Sequence, residues 1–141
     1  MQAQQRAEAV RERLLANDAA TKALGIRIDA IGPGTARAVM TVRADMLNGF
    51  ATCHGGLIAT LADSAFAFAC NARDEMTVAA GFTLDILRPA QLGDVLVAEC
   101  VEQVLAGKSG VYDVSVGNQR GEVVALFRGK SHRLHERKVL E

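Results

Sequence analysis

The chain carries no excess charge of either sign. Sixteen Lys and Arg stand against sixteen Asp and Glu, so the formal net charge is zero. Nucleic-acid binding rests on a surplus of cations that displaces counterions, so no nucleic-acid partner is expected. Cysteine is scarce and odd in number. Cys53, Cys70 and Cys100 lie among apolar neighbours and match neither a disulfide framework nor a zinc spacing. No apolar run reaches the roughly 20 residues that span a bilayer. Met1 to Asn17 is polar and charged and lacks the apolar centre of a signal peptide. A cytoplasmic protein with no membrane partner is the simplest expectation. Internal repeats, low-complexity tracts and linkers are also absent. The chain has 141 residues, half of them apolar, so a single domain over 1–141 with its own core is expected.

What is present is organised around one stretch, His54 to Asn71. From Leu57 to Cys70 only Thr60, Asp63 and Ser64 are polar. A helix that is apolar all round is a buried helix. Two features are odd in it. Gly55 and Gly56, poor helix formers, stand where the helix should begin. Asp63 is a carboxylate in the middle of an apolar cylinder. A lone buried carboxylate is costly, so it must be partnered, neutralised or used.

The rest of the chain reads as cover for that helix. Ala7, Val10, Leu14 and Leu15 make one apolar stripe on an N-terminal helix within residues 1–20. Ile26 and Ile28 alternate with Arg27 and Asp29 in a short strand. Gly32-Pro33-Gly34 is a turn, and 35–42 alternates again. Residues 43–53 lack periodicity and read as a loop feeding the central helix. After Arg73-Asp74-Glu75 come four strand-like runs near 77–87, 94–105, 109–117 and 122–133, joined by short polar and Gly-containing connections. The tail, including 134–141, is charged and expected to be solvated. The pattern calls for an α+β fold in which an antiparallel sheet wraps the central helix. Six strands cover only one side of it. The other side needs the N-terminal helix or a second subunit, so a homo-oligomer is expected.

Several residues identify a family. Met46-Leu47-Asn48-Gly49-Phe50, His54-Gly55-Gly56, and Leu61-Ala62-Asp63 resemble the hotdog-fold acyl-CoA thioesterases of the phenylacetate-degradation type. The likeness runs through Ala65 to Asn71, Leu87-Arg88-Pro89-Ala90 and Phe127 to Arg133, most of the chain from about Leu24 onward. It implies a hotdog fold, a tetramer built as a dimer of dimers, and hydrolysis of aryl- or hydroxyaryl-acetyl-CoA thioesters. One position departs from the family. Where its members carry Ser or Thr ten residues before the strand-end Pro, this chain has Ala79, and Thr77 is the nearest hydroxyl of the same strand parity.

The chemistry assigns roles. Thioester hydrolysis needs a group that attacks or activates water, and donors for the developing oxyanion. The first N–H groups of a helix have no intrahelical partner, and Gly55-Gly56 lets a carbonyl approach them unobstructed. Gly55 is the expected oxyanion donor and Gly56 a substrate contact; the alternative is a plain tight turn. Asp63 is the expected catalytic carboxylate, as nucleophile or as general base. Its alternative is a surface residue on a wet helix edge with Thr60, set against Phe66 and Ala67 one turn on. His54 is expected to polarise or position the thioester. Asn48 is expected to orient water or hold His54, or simply to form a turn. Arg88, Lys108 and Arg128 are candidates for the coenzyme A phosphates. Pro89, Thr77 and Ser109 join Arg88 and Lys108 as expected substrate contacts. Cys53 beside His54 is not a workable dyad, and His132 with His135 in the charged tail is not a metal site. No cofactor is called for. A hotdog hydratase would pair an Asp with a His five residues later, where this chain has Phe68. A non-catalytic acyl-CoA-binding module would have no need of Asp63.

Overall fold

The computed structural model describes all 141 residues. The order is α1 (Ala3–Asn17), α2 (Ala19–Leu24), β1 (Arg27–Gly32), β2 (Thr35–Thr41), a 3-10 turn (Ala44–Met46), α3 (Gly55–Asn71), β3 (Thr77–Ile86), β4 (Val95–Ala106), β5 (Ser109–Gly117) and β6 (Val123–Arg133). The six strands form one antiparallel sheet in the order β1-β2-β4-β5-β6-β3. The sheet curls round α3, which packs on β2, β4 and β5 and touches the other strands.

Alternation decides which residues face the helix. Ala38, Met40, Leu96, Ala98, Val114, Val116, Ala125 and Phe127 point inward and are buried. Small residues at 38 and 98 let α3 lie close to the sheet. Phe66 of α3 fills the centre, tilted against Tyr112 and Phe127 at 5.5 and 5.7 Å between ring centres. It fits because residue 129 is glycine: a Cβ there would stand 2.9 Å from the Phe66 ring. At the far end of α3, buried Asn71 ties the helix to the next strand. Its amide donates to the Thr77 carbonyl and accepts from the Thr77 N–H, both at 2.9 Å.

Four expectations change. A second short helix, α2, follows α1; Asp18 caps it by accepting from Thr21 N–H at 3.0 Å, and Gly25 closes it at φ +67°. The segment 43–53 is not a bare loop, because a 3-10 turn and two isolated bridges, Leu47 to Cys53 and Thr52 to Gln91, order it. The tail is not solvated throughout. Val139 is buried, Arg13 donates to its carbonyl, and Leu140 N–H donates to Asp74. Finally, α3 is not covered on every side. Gly56 is exposed and Thr60, Asp63 and Ala67 are half-buried, and these positions form one stripe along the helix. Phe66 turns into the core and does not share that stripe.

The last strand in the sheet is open as well. β3 pairs only with β6, so its other edge is free, and eight of its ten residues are exposed. Phe82 and Ile86 lie on the helix side of the sheet, against Phe127 and the start of α3, yet remain close to half exposed, because no strand covers the other edge of β3.

Candidate active site

The geometry of the helix start follows from its composition. His54 is the N-cap of α3, but its side chain makes no capping bond. Its carbonyl accepts from Leu57 and Ile58 N–H. The N–H groups of Gly55 and Gly56 have no acceptor anywhere in the chain. Two donors at the positive end of a 17-residue helix are therefore free to bind an anionic or developing-anionic oxygen. Gly55 is packed closely: a Cβ there would come within 2.9 Å of Ile86 Cδ1, whereas Gly56 has open space around it.

In front of the helix start lies a cleft of about 310 Å³. Asn48, Gly55, Arg88 and Pro89 line it together with Thr52 and the apolar Ile58, Ile86 and Leu87. The Asn48 side chain has a fixed orientation. Its Oδ1 accepts from Phe50 N–H at 2.9 Å, Thr52 N–H at 3.2 Å and Thr52 Oγ1 at 3.3 Å. The carbonyl half of the amide is thus committed to the loop, and its amide nitrogen is the half left for other partners. Asn48 does not hold His54, contrary to one of its expected roles. His54 is exposed, its side chain forms no hydrogen bond, and it does not line the cleft.

Asp63 lies two turns along α3, on the uncovered stripe. Burial alone raises its pKa above the ordinary carboxylate value, with no cation or donor of this chain acting against it. Its neighbours on the helix are self-satisfied: Thr60 Oγ1 donates to Gly56 O and Ser64 Oγ to Thr60 O. Asp63 does not line the cleft.

The remaining expected contacts separate into two groups. Arg88 is at the cleft, donating to the Val123 carbonyl at 2.6 Å, with Glu122 4.0 Å from its Nε. Thr77, Lys108 and Ser109 instead line a crevice of about 40 Å³ beside Cys70, at the other end of α3. Lys108 does sit in the expected hairpin, following Gly107 at φ +61° between β4 and β5. Arg128 is engaged elsewhere, in a two-point ion pair with Asp113 at 2.7 and 2.8 Å on the outer sheet face. The largest depression, about 490 Å³, is also on that outer face, away from the helix. Thr52 and Ile86 line the cleft unanticipated. Thr52 stands next to the Cys53-His54 pair, but in sequence its hydroxyl carries no sign of its bond to Asn48.

Cys53 also lines the cleft, but its thiol is held protonated by burial, and Cys70 and Cys100 lie outside it. All three are free and buried, and burial pushes the Cys70 thiol up to about 12 and raises those of Cys53 and Cys100. No helix is long and apolar enough to cross a membrane.

A curled antiparallel sheet round one long helix, whose free N-terminal donors open on a cleft, defines the hotdog fold of thioester-handling proteins. The chain belongs to the thioesterase superfamily, whose family model matches residues 50–125. It is 50% identical over 118 residues to the acyl-coenzyme A thioesterase PaaI of Escherichia coli, covering 84% of each chain. The solved structure of E. coli PaaI, from the phenylacetic acid degradation operon, superposes with a TM-score of 0.92. That match has 45% identity and covers 94% of this chain and 96% of the other. The phenylacetic acid degradation protein PaaI of Thermus thermophilus, solved as an Asn-to-Asp mutant, gives a TM-score of 0.80 at 40% identity, over 83% of this chain and all of that one.

Proposed function

We propose that the chain is a cytoplasmic acyl-CoA thioesterase that hydrolyses phenylacetyl-CoA-like thioesters, aryl or hydroxyaryl, to the free acid and coenzyme A, at sites shared between two copies. The observation that carries the reading is the pair of unclaimed N–H groups at Gly55 and Gly56 at the start of α3, where Gly55 lines a cleft. The thioester carbonyl oxygen accepts from Gly55 N–H, with Gly56 beside it, and its charge grows as the tetrahedral intermediate forms. Asn48 offers its amide nitrogen to the same region. His54, exposed at the mouth, positions the thioester as the substrate enters. Arg88 and Pro89 contact the coenzyme A moiety, with the Arg88 cation set against phosphate.

Asp63 of the same helix cannot serve that carbonyl. It is eight residues from Gly55, about 12 Å along the axis at 1.5 Å per residue. An attacking group must stand within about 3.5 Å of the carbon it attacks. A second copy, related by a two-fold axis and pairing edge to edge along β3, would lay its α3 antiparallel to the first. The uncovered stripe Gly56-Thr60-Asp63-Ala67 and the open edge of β3 are the surfaces such a copy would bury. Asp63 of the second copy then either attacks the thioester carbon, expelling the coenzyme A thiolate and leaving a mixed anhydride that water hydrolyses to the free acid, or takes a proton from the water that attacks. In both routes the water supplies the proton with which coenzyme A departs as its thiol. Thr77, Lys108 and Ser109, remote from the cleft of their own chain, contact substrate through the same pairing. Two such dimers form a tetramer.

The test is release of thiol from phenylacetyl-CoA, followed with a thiol reagent, across a panel of aryl and fatty acyl-CoAs. The wild type is expected to turn over arylacetyl substrates, and Asp63→Asn to lose about 100-fold or more, the usual scale for one acid–base group. A wild type inert to every acyl-CoA would overturn the reading.

A further inference from the structure

Asp94 is 3% exposed and stands outside the cleft, yet it is the most heavily bonded carboxylate in the chain. Its Oδ2 accepts from the Gln91 N–H at 2.9 Å and its Oδ1 from Gln119 Nε2 at 2.9 Å. Arg120 donates to both oxygens, at 3.1 and 3.3 Å. These bonds, the guanidinium's foremost, hold the Asp94 carboxyl down at about 2, so it is ionised at any working pH.

Neither side joined by this carboxylate lines the cleft, but each is bonded to residues that do. On one side is the turn Gln91–Asp94, closed by Asp94 N–H to Gln91 O at 3.0 Å, with Gly93 at φ +86°. The residues just before that turn grip the segment leading into α3. The Ala90 carbonyl accepts from Cys53 N–H at 2.8 Å, and Gln91 is bridged to Thr52. Thr52 orients Asn48, and Cys53 precedes the N-cap His54. On the other side is the β5–β6 hairpin. There Arg120 Nε donates to Glu122 at 2.9 Å, Glu122 faces Arg88, and the Val123 carbonyl accepts from Arg88. A buried carboxylate with all its bonds made is a rigid joint, whereas loss of Arg120 would leave the buried Asp94 without its counter-ion.

We infer that Asp94 and Arg120 are a positioning pair, a staple from the β5–β6 hairpin that fixes the Pro89–Gln91 segment and through it the helix start and Arg88. Neither touches substrate. The inference rests on the reading of the Asn48–Gly55–Arg88 cleft as the thioester site. It adds a residue pair remote from the reacting atoms to the set on which turnover depends.

The experiment compares wild type, Asp94→Asn, Arg120→Ala, the double variant and Arg120→Lys, with Gly55→Val and Arg37→Ala as references. Steady-state kinetics with phenylacetyl-CoA are run well below each measured melting temperature. Displacement of the helix start by a fraction of an ångström is expected to lower kcat about 10-fold in each single variant while KM moves much less. The double variant is expected to fall no further than either single one, because both residues act through one joint. Arg120→Lys, which keeps a cation on Asp94, is expected to regain most of kcat. Arg37→Ala, which removes a surface ion pair with Asp29 remote from the cleft, is expected to retain full activity. Folded Asp94→Asn and Arg120→Ala with kcat within about 2-fold of wild type would overturn the inference, whatever their melting temperatures. If Asp94→Asn does not fold, Arg120→Ala decides alone, since its side chain is 49% exposed and outside the core. Full loss in Gly55→Val with no effect at 94 and 120 defeats the staple and leaves the cleft assignment standing. An unaffected Gly55→Val defeats the cleft assignment itself.

Discussion

At the residue scale, the proposed mechanism makes Asp63 the side chain on which hydrolysis depends. A half-buried carboxylate with no partner in its own chain is held above its ordinary pKa by burial alone. Two consequences have opposite readouts. The working form is the carboxylate, so kcat/KM is expected to rise with pH through an apparent pKa above the unperturbed 3.8. An acid limb at or below that value would contradict the burial argument. The same raised pKa makes ionised Asp63 a cost to the fold. That cost is fully present at neutral pH, shrinks as pH falls through the raised value, and is gone below the unfolded value. Asp63→Asn is therefore expected to melt higher than wild type at pH 7, with the difference vanishing near pH 3. A variant less stable than wild type at pH 7 would mean that the carboxylate is supported and not strained.

At the element scale, the proposal gives α3 two tasks, the oxyanion donors at its start and the contact with a second copy along its flank. Gly55→Val would push against Ile86 and crowd the two free donors. It is expected to lower kcat by about 100-fold, the scale of one lost oxyanion donor, with a smaller change in KM. A change confined to KM would make Gly55 a binding contact only. Ala67, half-buried on the open stripe, gives the complementary test. Ala67→Arg is expected to fold, because its own sheet does not cover that stripe, and to elute as a single 15.0 kDa chain without activity. Retention of an oligomer would remove the stripe from the interface. The β-strands were legible in the sequence because short polar and Gly-containing connections bound each strand-like run. Runs near 77–87, 94–105, 109–117 and 122–133 match β3 to β6 within a residue or so. α2 was not legible, because six residues carry too little periodicity to register, although Asp18 and Gly25 hold the capping signals. The stripe on α3 was legible in part. Thr60 and Asp63 mark the bare side, whereas Gly56 and Ala67 do not, because small apolar residues read alike whether a neighbour covers them or not.

At the scale of the whole molecule, the proposed pairing makes each chain half of two sites. Gly55, Asn48 and Arg88 gather at one end of α3, Thr77, Lys108 and Ser109 at the other, and Asp63 lies between them on the bare face. The residue types were readable from the motif around His54-Gly55-Gly56 and Asp63, and so was the distance of about 12 Å that eight helical residues put between Gly55 and Asp63. The separation of Arg88 from Thr77, Lys108 and Ser109 was not, because those residues lie on strands and turns whose placement depends on the sheet order. Nor was Asp94 readable as a joint. Leu92-Gly93-Asp94 looks like an ordinary turn, and its partners Gln119 and Arg120 lie 25 and 26 residues away. The shared site is the central claim, and complementation tests it most directly. Asp63→Asn and Gly55→Val chains, each inactive alone, are refolded together and the mixed species is isolated. A mixed dimer then carries one site with both defects and one intact site. Activity is expected to return, at about half the wild-type turnover per dimer given two independent sites. Verified mixed dimers as inactive as either parent would contradict the shared site, and would require each chain to complete its own.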